Sequence, residues 1–131
     1  MISSKTNRVA ALLIALFTMG GIMLPHRISA QNCDDVTLND ARKAYELGKF
    51  MEVTARLKQC INKGFNEKQK IEAHRLMAMS YLAMDSTEQA NYEVSALLQI
   101  NPVYEANLFD PPSFINMVSL LKTSGNILTV T

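Results

Sequence analysis

Few side chains in this 131-residue chain could do chemistry, and the two cysteines, Cys33 and Cys60, are the most informative. Gly48 lies between them, and Cys60 is twelve residues beyond it. If Gly48 turns a helical hairpin, about twelve residues back, or roughly 18 Å at the helical rise, returns to the start of the first helix. Cys33 and Cys60 would then lie side by side. An oxidising compartment would bond them, and closing that loop would be worth roughly 3.5 kcal/mol. The alternative is two free buried thiols.

The other candidates point away from catalysis. His74 is the one histidine after residue 30, and no thiol or second imidazole stands at ligand spacing from it. It falls where a packed aromatic would suit a helix, so a packing role is expected. Met77, Met79 and Met84 could ligate a soft metal through their thioethers. Met77 and Met84 fall on an apolar helical stripe, where methionine ordinarily fills gaps. No nucleophile stands beside a base and an orienting acid, and no glycine-rich phosphate loop is present. The expectation is a binding scaffold and not an enzyme, with no metal and no cofactor.

The first thirty residues read as an export signal. Lys5 and Arg8 give a positive start, residues 9–24 form an apolar run without charge, and Pro25 breaks it. Ile28-Ser29-Ala30 then places a small residue before a cut, which makes Gln31 the first mature residue. A retained anchor is the alternative, although the run is short for a span. Lipidation at Cys33 is disfavoured, because Gln31 and Asn32 stand where small residues are needed. Three of the thirteen basic residues and none of the twelve acidic ones precede Gln31, leaving ten against twelve and a net charge of −2. That balance argues against nucleic acid as a partner. An exported chain is expected in the periplasm or on the periplasmic face of the outer membrane, without membrane insertion once the signal is removed.

The remaining residues show one pattern twice. Ala41, Ala44, Gly48, Phe50, Val53 and Leu57 align with Ala78, Tyr81, Asp85, Thr87, Ala90 and Val94 at an offset of 37. Apolar residues recur at three-to-four spacing, and the expectation is four main helices over residues 36–47, 50–62, 67–84 and 86–100. Gly48 supplies the first left-handed turn, and Asp85-Ser86 supplies the second turn with an N-cap. A fifth helix should follow Asp110-Pro111-Pro112, with Asp110 as its cap and Phe114, Val118 and Leu121 as its buried stripe. Thr123-Ser124-Gly125-Asn126 should end it, leaving residues 127–131 as a short extended tail. The fold class is therefore all-α: two antiparallel helical hairpins and a C-terminal capping helix over residues 31–126, behind a signal peptide at 1–30.

Ala78-x-x-Tyr81, Ala90-x-x-x-Val94 and the closing Pro102 match the tetratricopeptide signature. Together with Cys60, Ala73-His74-Arg75-Leu76-Met77-Ala78, Asn101-Pro102-x-Tyr104 and Asp110-Pro111-Pro112-x-Phe114, they resemble a small secreted tetratricopeptide module of Gram-negative envelope proteins. That module typically precedes the plug and barrel of a TonB-dependent receptor. The resemblance implies a protein–protein interaction module associated with such a receptor. A stand-alone envelope assembly factor, or chaperone-like adaptor, is the alternative.

In such a scaffold the inner face of each first helix binds the partner. By spacing these residues are Leu38, Arg42, Tyr45 and Glu46, then Arg75, Met79, Leu82 and Ala83. They would hold a protein or peptide segment, tyrosine and arginine being frequent interface anchors. The competing reading is a solvated face, with Leu82 partly covered by the last helix.

Overall fold

A computed structural model describes residues 32–129, which form five helices and, among those residues, no strand. The expected signal segment, 1–30, and residues 130–131 of the tail lie outside them. The described residues are all-α, as the apolar periodicity predicts.

Helix α1 (Asp35–Glu46) starts where the Asp34 carboxylate accepts a hydrogen bond from the Thr37 N–H at 3.1 Å. Helix α2 (Phe50–Lys58) follows the Gly48 turn. Helix α3 (Glu67–Ala83) opens on a capping box absent from the sequence reading: Asn66 and Gln69 exchange two bonds of 2.9 Å. Helix α4 (Thr87–Ile100) leads through a loop to α5 (Pro112–Thr129).

The two tight turns are copies of each other. Lys49 N–H donates to Ala44 C=O at 2.9 Å, and 37 residues later Ser86 N–H donates to Tyr81 C=O at 2.9 Å. Gly48 N–H to Tyr45 C=O and Asp85 N–H to Leu82 C=O repeat the inner bond of the same Schellman closure. Both turns need a left-handed residue, with φ of 71° at Gly48 and 57° at Asp85. Asp is one of the few side chains that tolerates this region.

Helix α3 is the centre, packed against each of the other four helices. Ala73, His74 and every residue from Leu76 to Tyr81 are buried, so α3 has no solvent stripe of ordinary width. Small residues allow the approach, since Ala41, Ala73, Ala78 and Ala90 are each 0 % exposed. The core continues through Val53, Leu57 and Val94 to Phe114 and Val118 of α5, which closes over α3 and α4. No helix among the described residues is long and apolar enough to cross a membrane.

Several boundaries differ from the sequence expectation. Helix α2 ends at Lys58, four residues early, in tight turns such as Lys63 N–H to Cys60 C=O. The bend brings Cys33 beside Gly64, where a Cβ would stand 3.1 Å from the Cys33 Cβ, and it buries Phe65, a residue the sequence places in a linker. Ser86 occupies the N-cap position of α4, but its hydroxyl turns back to Met84 C=O and caps nothing. Helix α5 does not stop at residues 123–126. It runs on to Thr129, so residues 127–129 are helical and not an extended tail. Thr123 and Ser124 bond back to the carbonyls of Ser119 and Leu121, which satisfies their hydroxyls within the helix. Gly125 inside it costs only about 1 kcal/mol relative to alanine.

Candidate protein-binding face

The disulfide joins the entry of α1 to the turn after α2. Cys33 and Cys60 are bonded, with Cα atoms 5.2 Å apart across a separation of 27 residues. The bond encloses the whole first hairpin, as the distances counted from Gly48 predict.

The eight residues expected on the inner face divide by their surroundings. Leu38 and Met79 are not available to a partner, each being 3 % exposed and part of the core. Met79 lies on α3, which is enclosed on so many sides that a position spaced for a surface lies inside, and Leu38 packs from α1 into the same core. Leu82 is half-buried against the core. Arg42, Glu46 and Ala83 are exposed, and Tyr45 is half-buried with its ring edge-on to Phe50 at 5.4 Å.

The polar part of this face is a chain of ion pairs that sequence reasoning did not find. Arg42 Nε donates to Glu72 Oε1 at 3.0 Å, and Arg75 Nη1 donates to the same oxygen at 3.3 Å. Arg42 Nη1 also donates to Asn39 Oδ1 at 2.7 Å. Arg75 reaches on to Asp110, with Nη2 donating to Oδ1 and Nε donating to Oδ2 at 3.3 Å. Asp110, expected as the cap of α5, is thus the acceptor for Arg75. Its carboxylate is almost wholly buried and also accepts the Asn107 N–H at 2.9 Å. The i,i+3 spacing of Glu72 and Arg75 is a weak sequence signal, while the Arg75–Asp110 pair spans 35 residues and has none.

Charges around Arg75 are strongly coupled. Burial disfavours its cationic form, but the Asp110 hydrogen bond and the nearby carboxylates outweigh that and raise its pKa. Burial raises the pKa of Tyr45 and of Tyr104, and in both the Arg75 charge works in the opposite direction. Arg75 thus ties α3 to the loop before α5, and its donors are already engaged. Phe109 N–H donates to Asn107 Oδ1 at 3.0 Å, so the same loop is held in a tight turn with Leu108 and Phe109 at 92 % and 95 % exposure.

What remains exposed is Arg42 and Glu46 beside the Tyr45 ring on α1, Ala83 at the far end of α3, and a groove between α1 and the start of α3. That groove is about 470 Å³, and Gln69 Nε2 closes one end by donating to Asp35 Oδ1 at 2.9 Å. A mixed-charge surface with one aromatic anchor suits hydrogen bonding to a polypeptide segment. Compared with protein-family models, curated proteins and solved structures, the chain matches none of them.

Proposed function

We propose that the exported chain is a small tetratricopeptide-like scaffold of the cell envelope, which holds a segment of another protein against α1 and α3. The duplicated turn carries this reading. Two helix pairs close with the same hydrogen bonds and the same left-handed residue at an offset of 37, as members of one repeat should. Helices α1 and α3 are then the inner pair, α2 and α4 the outer pair, and α5 takes the place of the next inner helix. The disulfide and the signal-like start favour an oxidising compartment. The resemblance to modules that precede TonB-dependent receptors makes an outer-membrane receptor the first partner to test, and an assembly factor would use the same face.

The binding surface we propose is Arg42, Tyr45, Glu46 and Ala83, without the buried Leu38 and Met79. Arg75 contributes by positioning the loop. A photo-crosslinking residue placed at 42, 46 or 83 in the envelope should capture one discrete protein. The same group at Met51, 77 % exposed on α2, should not capture it. Equal capture from Met51, or none from the three inner positions, would refute the proposal.

A further inference from the structure

Helices α2 and α4 both pack on α3 but not on each other. The space between them is a cleft of about 470 Å³ on the other side of α3 from the face described above. Cavities of small-molecule sites span roughly 300–1,000 Å³. Its floor contains a buried polar pair, His74 Nδ1 and Glu93 Oε2, 2.7 Å apart, with side chains 8 % and 6 % exposed. Met77 lies beside them, and Ile61, Ala96 and Ile100 supply apolar walls. A buried ionisable pair is rarely the most stable filling for such a position, where apolar residues of similar volume are often as stable or more so.

The rim has the opposite character to the rest of the domain. Lys58 and Lys70 flank the cleft, and Glu93 is the one carboxylate among the described residues that line it. The local balance is positive in a chain whose residues from Gln31 onward sum to −2. The Lys58 ammonium stands 5.5 Å over the Tyr81 ring, which holds it at the cleft mouth. Tyr92 contributes an aromatic surface there, 71 % exposed.

We infer that this cleft binds an amphiphilic anion: an apolar body along Ile61, Ala96 and Ile100, its carboxylate at Lys58 and Lys70, and a polar group near His74 and Glu93. Both a free fatty acid and the carboxyl terminus of a polypeptide have this chemistry. Isothermal titration of the exported chain would use dodecanoate and dodecanol, and a leucine-ended hexapeptide as free acid and as amide. At least one acid should bind with a Kd below about 100 μM, and its neutral counterpart should bind about tenfold or more weakly. Binding of dodecanoate alone identifies a free amphiphile as the ligand. Binding of the peptide acid alone identifies a chain terminus, and both outcomes support the site.

The double substitution K58E/K70E should weaken the acid about tenfold or more, and K58Q/K70Q should show an intermediate loss with the helical signal unchanged. Lys68, which lines the α1–α3 groove, provides the control, and K68E should bind normally. Acid and neutral probes binding alike, no acid binding with a Kd below about 100 μM, or full binding by K58E/K70E would each overturn the inference.

Discussion

Removing the Cys33–Cys60 bond should lower the melting temperature of the chain from Gln31 onward by about 17 °C. The bond closes a loop of 27 residues. The chain-entropy relation makes that worth about 3.5 kcal/mol at room temperature. Unfolding entropy is about 2.1 cal/mol/K per residue, or about 0.21 kcal/mol/K for a domain of about a hundred residues, and the ratio gives the shift. The perturbation is C33A/C60A, compared with the oxidised parent by thermal circular dichroism from residue 31 onward. Hydrogen exchange should locate the effect, because the closed loop contains α1 and α2 but not α3 or α4. Amides of the first hairpin should therefore lose more protection than those of the second. A shift below about 5 °C, or loss of protection spread evenly over both hairpins, would refute the reasoning.

Three further perturbations test the fold. Phe114 is fully buried, and Phe114→Ala should cost about 3–5 kcal/mol in urea denaturation; an unchanged midpoint would contradict the packing of α5 on the core. Arg75→Ala leaves the buried Asp110 carboxylate unpaired and should cost about 3–5 kcal/mol, with part of that recovered in R75A/D110A, whereas additive losses would show that the two do not interact. Gly48→Ala should cost about 1–2 kcal/mol from backbone strain alone, since a Cβ there meets nothing within 4 Å, while Asp85→Gly should be neutral or stabilising by up to about 1 kcal/mol; the reverse order would mean that the turns are not equivalent.

The correction to the expected inner face has a physical lesson in Met79. A helical wheel separates an inner from an outer surface only when a helix has one neighbouring layer. Helix α3 has four neighbours, so its buried arc includes Met79 as well as Met77 and Tyr81. Arg75 shows the same effect for charge. Its residue type is right for an interface, but Asp110 reaches it through the tertiary fold and occupies its donors.

Local features alone were sufficient for the all-α class, the helix starts within a residue or two, the 37-residue duplication and the cysteine pairing. Each depends on short-range physics: the 3.6-residue period, the left-handed Gly48 and Asp85, and the equal lengths of chain counted outward from one turn. Tertiary structure decided what local sequence could not. It shortened α2 to bring Cys60 to Cys33, drew Phe65 from its loop into the core, and joined Arg42, Glu72, Arg75 and Asp110 in one network. It also left α2 and α4 apart, with His74 and Glu93 paired between them. Apart from Glu72 and Arg75, one helical turn apart, those ion pairs join residues 19 to 35 positions apart, which short-range pattern cannot bring together.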